Sequence, residues 1–294
     1  MPRLSTNSAL WVTRVLWLVS LAILVPLAIS SAARGRTAFA ENVALSVWWV
    51  VAGVILVALV VCGPVSLTII RMLAAASIPV AGAALVLGAS PLRGFAALVA
   101  ALLTTLLALT AETGEAIVHV SAYGDERRLP LRVPATMQLP IAVSWLFWCA
   151  VLLAGVVLLA AHMMIVGIGL LAVAGALTWL VGQRLHRFSC RWLVSVPAGL
   201  VVHDPVVLAE TLMVLRPNIA HARLALAGTE AADLTGPAAG HALEITVRET
   251  VQVVFAATPK NPKGTAIHAQ AFLIAPSRPG RALRALAHRK IAVN

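Results

Sequence analysis

Six apolar runs fill the stretch from Ala9 to Val181. Each approaches the roughly 20 residues that an α-helix needs to cross a bilayer. A chain built this way has no soluble fold open to it. Of its 294 residues, 61% are hydrophobic and 11% are Asp, Glu, Lys or Arg, and the mean hydropathy is +0.95. Soluble domains carry about 25% charged and about 45–50% apolar residues. The same hydrophobicity excludes disorder, which needs few apolar residues and a high net charge. The chain reads as a polytopic membrane protein with a smaller water-exposed part.

The runs place spans at 9–30, 44–66, 72–88, 95–111, 140–160 and 164–181. In the first, Arg14 lies near the start and can snorkel to the interface. Trp11 and Trp17 suit a headgroup boundary. A cleaved signal peptide is the alternative for this segment, given Ser31-Ala32-Ala33 and Thr37-Ala38-Phe39-Ala40. Arg71 is read as an interface anchor closing the second span. Residues 112–139 carry Glu112, Glu115, Asp125, Glu126, Arg127, Arg128 and Arg132. With β-forming Ile117, Val118 and Val120, a turn at 123–126 and alternation over 128–133, the segment predicts a β-hairpin over 116–133. Only Ala161-His162-Met163 separates the last two spans, which predicts a tight helical hairpin.

Arginine placement predicts the orientation. With the N-terminus inside, Arg3, Arg71, Arg127, Arg128, Arg132, Arg184 and Arg187 are cytoplasmic, against Arg34, Arg36 and Arg93 outside. Six spans then put both termini in the cytoplasm, in the plasma (inner) membrane. The net charge of +11 fits anionic headgroups on that side rather than nucleic acid. Cys62, Cys149 and Cys190 have neither metal-ligand nor disulfide spacing and read as small hydrophobes.

Residues 1–187 therefore form a transmembrane domain and 188–294 a cytoplasmic β-rich domain. Strand-like runs fall at 191–196, 200–203, 206–215, 218–226, 242–248, 250–257 and 265–274, followed by helical spacing of Leu283, Leu286 and Ile291. Breaks fall at Pro197-Ala198-Gly199, Asp204-Pro205, Arg216-Pro217, 228–240 and 259–264. Seven strands and a final helix resemble a pleckstrin-homology-like (PH-like) barrel. Residues 140–294 resemble the bacterial membrane-anchored PH-like proteins, in which a helical hairpin directly precedes the barrel. The features that match are the hairpin, Arg184-Leu185-His186-Arg187 and Arg191-Trp192-Leu193-Val194. Through 123–132 (YGDERRLPLR) and 196–205 (VPAGLVVHDP) the whole chain is similar to an uncharacterised actinobacterial integral membrane protein family. Neither resemblance implies an activity.

Few residues point to chemistry. Glu112, Glu115 and His119 would share a helix face and could suit a divalent metal; the alternative ends that helix near Gly114 and leaves the acids solvated. His203-Asp204 and His221 lack a nucleophile motif, and no phosphate-binding glycine loop is present. No cofactor is implied. The basic residues are more informative. From 189 to 294 there are 11 Lys and Arg against 6 Asp and Glu, a net +5. Arg184, Arg187, Arg191, Lys260, Lys263, Arg278, Arg281, Arg284, Arg289 and Lys290 form the candidate surface for anionic lipid or a membrane protein partner. The expected function is a non-enzymatic scaffold or accessory subunit of a membrane complex. The alternative is a small transporter or transporter subunit with a polar cavity lined by Ser46, Ser66, Thr68, Thr104, Thr105 and Ser144.

Overall fold

The computed structural model describes residues 2–257 and 264–294. The chain divides into two compact units, Met1–Val120 with Ile141–His186, and Ser121–Pro140 with Arg187–Asn294. In the first, six helical segments among the described residues are long and apolar enough to cross a membrane: Leu10–Ala32, Ala38–Val61, Pro64–Val86, Pro91–Leu109, Ala135–Ala160 and Met164–Ser189. The chain is a multi-pass membrane protein.

The first segment is composite: α1 (Pro2–Val19), a π-helical turn (Ser20–Leu24) and α2 (Val25–Ala32). In the turn, the Val25 N–H bonds the Ser20 carbonyl, five residues back. On that pattern the Leu21 carbonyl would await residue 26, a proline with no N–H. The Trp48 indole, on α3 (Ala38–Val61), donates to it instead at 2.8 Å. A bilayer has no water to do this, so the partner must come from the protein.

α3 is followed by α4 (Pro64–Val86), α5 (Pro91–Leu109) and a short α6 (Ala111–His119). The break between the second and third spans falls at Cys62-Gly63, not at Arg71. Cys62 turns the chain with φ +45. Pro64 then opens α4 at a position where a missing N–H costs nothing. The apolar run continues through this break, so hydropathy alone misplaces it. Arg71 lies inside α4 and its Nε donates to the Ala108 carbonyl of α5 at 3.3 Å. A Cβ at residue 114 would lie 2.7 Å from the Arg71 Nη2, so Gly114 makes room for the guanidinium. Arg14 donates to the Leu59 carbonyl at 2.8 Å, satisfying an acceptor in the last turn of α3.

The expected β-hairpin over 116–133 does not form. Thr110 caps α6, its hydroxyl accepting from the Thr113 N–H at 3.3 Å, and Ile117 and Val118 are fully buried on that helix. β-branched residues favour strands only weakly when a cap and a packing surface favour helix. One strand remains in this region, β1 (Arg127–Pro130).

The last two long helices, α7 (Ala135–Ala160) and α8 (Met164–Ser189), turn at Ala161-His162-Met163 as expected, with His162 at φ +63. α8 continues past the predicted end at 181. Small residues let helices approach closely in lipid. A Cβ at residue 167 would lie 2.7 Å from the Leu159 backbone nitrogen. Gly167→Leu therefore lowers stability by about 1–3 kcal/mol through overpacking, read as a lower thermal unfolding midpoint of the full chain in detergent.

Among the described residues, the second unit holds two four-stranded sheets and no closed barrel. One has the order β1-β2-β3-β4, with β2 Trp192–Val196, β3 Gly199–His203 and β4 Leu212–Leu215. The other has the order β5-β7-β8-β6, with β5 Ile219–Leu224, β6 Ala232–Asp233, β7 Leu243–Phe255 and β8 Thr265–Ile274. The two strands expected at 242–248 and 250–257 are one long strand whose pairing shifts register between Thr246 and Val251. Only the end of 206–215 is strand, because Asp204 folds the chain before it. Its carboxylate accepts from the Val206 and Val207 N–H groups, at 3.1 and 3.2 Å. Leu193, Leu200, Val202, Ile245 and Phe272 make the core with Ala282, Ala285 and Leu286 of α9 (Pro279–His288).

β1 pairs antiparallel with β2, Leu129 opposite Leu193 and Pro130 opposite Trp192. The α7–α8 hairpin is thus inserted in a connection between neighbouring strands. Two membrane crossings between them return the chain to the side it left.

Candidate docking surface of the second unit

α9 separates its residues by face. Ala282, Ala285 and Leu286 are buried. Arg281, Arg284 and His288 recur at i, i+3 and i+7, the spacing of one helix stripe. Arg284 and His288 are exposed and Arg281 half-buried, while exposed Arg278 and Lys290 flank the helix. Partial burial, and then the neighbouring Arg281 cation, lower the Arg278 guanidinium from its ordinary value. Like charges so placed favour an anion that relieves them. Arg289 is more restrained and donates to the Asp125 carbonyl.

The remaining basic residues separate. Arg187 is exposed, with Nη2 donating to the Pro205 carbonyl at 2.9 Å. Arg184 belongs to the helical unit. Lys260 and Lys263 lie outside the described residues. Arg191 is no surface residue at all. Its side chain is 1% exposed and forms a two-pronged pair with Asp204: Nε to Oδ1 at 2.8 Å, Nη2 to Oδ2 at 2.6 Å. It also donates to the carbonyls of Arg132 and Thr235. A basic residue just after a span looks like an interface anchor in sequence. The signal that could have revealed this one was Asp204, an acid at a turn 13 residues on.

Cys190 is half-buried and burial raises its thiol above its ordinary value, which makes it a poor nucleophile. His203 Nδ1 pairs with the Thr211 hydroxyl at 2.9 Å and His221 Nε2 with that of Thr246 at 3.2 Å. They lie on different sheets. Glu112, Glu115 and His119 do lie on one helix, with Glu115 buried rather than solvated. Among the described residues no three His, Cys, Asp or Glu side chains converge as a metal site.

No family model, curated protein or solved structure matches the chain.

Proposed function

We propose that the protein is a non-enzymatic plasma-membrane scaffold or accessory subunit, with both termini in the cytoplasm and a PH-like module that docks on anionic headgroups. The observation that carries this reading is the α9 stripe of Arg281, Arg284 and His288, with Arg284 and His288 exposed and Ala282, Ala285 and Leu286 buried. A basic residue close to an anionic leaflet contributes about 1 kcal/mol. Two four-stranded sheets, the first in sequential order, followed by a packed helix support the PH-like reading. The arginine distribution supports the orientation.

The transporter alternative needs polar groups facing a cavity. Thr68, Thr104, Thr105 and Ser144 instead donate to the carbonyls of Pro64, Ala100, Ala74 and Ile141 at 2.8–3.1 Å. Ser46 is exposed on the outside of α3 and Ser66 is buried. These contacts favour anchoring over transport.

The test uses the full chain in lipid nanodiscs, with the three cysteines replaced by serine and an environment-sensitive fluorophore at Ala287→Cys, an exposed α9 position. Discs containing phosphatidylglycerol shift the emission to the blue relative to phosphatidylcholine. The shift disappears in 0.5 M salt, as charges are screened, and in the Arg281→Glu/Arg284→Glu variant. Identical spectra in both lipids exclude headgroup docking and leave a protein partner.

A further inference from the structure

At the end of the helical unit holding loops 33–37, 87–90 and 161–163, an apolar cavity of ≈140 Å³ opens between α2, α3, α4 and α7. These loops share one end: the Ser90 N–H donates to the Ser31 hydroxyl at 2.9 Å and Phe39 stacks on His162 at 4.8 Å. Ala44 of α3, Ala76 and Ala83 of α4, and Trp148, Leu152 and Val156 of α7 line it. The lining runs from Ala40 to Val51 on α3 and from Trp148 to Ala160 on α7. At 1.5 Å per residue that is about 16–18 Å, the depth of one leaflet of a ~30 Å hydrocarbon core.

The lining has one polar side chain, Arg36, at the loop end. Both tryptophans have committed their N–H groups elsewhere, Trp48 to the Leu21 carbonyl and Trp148 to the Thr178 hydroxyl, each at 2.8 Å. They present only ring carbon to the cavity. Water and polar solutes find no partner along this slot. Arg36 is exposed, and one N–H to the Leu87 carbonyl at 3.2 Å holds its guanidinium over the mouth. The charged groups at this end are Arg34, Arg36, Arg93 and Glu41, with His162 titratable, a cationic balance.

We propose that this slot grips a stretch of about six carbons of one acyl chain of an anionic glycerophospholipid, as its volume allows, with the lipid phosphate on Arg36. The slot has the depth of a single leaflet, is apolar along its length and is cationic only where a headgroup sits. A guanidinium offers five N–H donors in a fork that matches phosphate, and one is in use here. The site belongs to the helical unit and is independent of the α9 surface.

Native mass spectrometry of the intact protein, released from micelles holding equal phosphatidylglycerol and phosphatidylcholine, tests this. One phosphatidylglycerol stays bound per chain at activation energies that strip the other lipids. Arg36→Gln lowers that occupancy about five-fold, the factor one basic residue contributes beside an anionic headgroup. Ala44→Phe, at a half-buried wall position, abolishes it by filling the slot. Arg34→Gln, outside the lining, lowers it less than Arg36→Gln does. Equal retention of the two lipids, or equal losses in Arg34→Gln and Arg36→Gln, overturns the proposal. Arg36→Gln alone decides the matter if Ala44→Phe does not fold.

Discussion

Replacing Arg191 with methionine destabilises the second unit by about 3–5 kcal/mol, the cost of breaking a buried ion pair by removing one partner. Asp204 would be left 0% exposed with its charge uncompensated. The carbonyls of Arg132 and Thr235 would lose a donor at the same time. The damage is not local, because these contacts join the chain just after β1, just before β2, just after β3 and just beyond β6. Hydrogen exchange on the full chain in detergent reads the effect. Protection of the β2 and β3 amides falls by about two to three and a half orders of magnitude. Arg191→Met/Asp204→Leu recovers much of the loss, since removing both charges also removes their desolvation cost. Unchanged protection in Arg191→Met would show that the pair does not hold the sheet.

A fragment of residues 188–294 does not fold as a monomer, although it contains every strand but β1. Leu129 and Leu131, supplied by the 121–134 segment, are 4% and 6% exposed in the core. Burying two leucines contributes roughly 3–6 kcal/mol, a large share of the 5–15 kcal/mol typical of a whole domain. Without β1, the edge of β2 is also open to pairing with another chain. Joining 121–134 to 187–294 through a short Gly/Ser linker restores folding, because the ends to be joined lie beside adjacent antiparallel strands. Size-exclusion chromatography and amide NMR dispersion separate the outcomes. A monomeric, well-dispersed 188–294 fragment would show that β1 is dispensable.

Recognition of the two units from residue order was uneven for a physical reason. Long apolar runs report on solvent, so the number of crossings was legible. Their exact ends were not, since Gly63-Pro64 interrupts backbone bonding without interrupting hydrophobicity. The basic stripe on α9 was legible because its spacing is local. Arg191 reads as a surface cation in sequence because charge patterning describes how many cations lie near a span, not which of them turns inward to an acid.

From its order of residues alone, the chain is committed to a membrane: no arrangement of so many apolar side chains could hide them from water. The tertiary structure decided which segments belong together. It took residues 127–130 away from an expected local hairpin and paired them with 192–195, across two membrane crossings. That choice rests on cross-strand packing and a shared buried ion pair, and such contacts depend on distance in space rather than on distance along the chain.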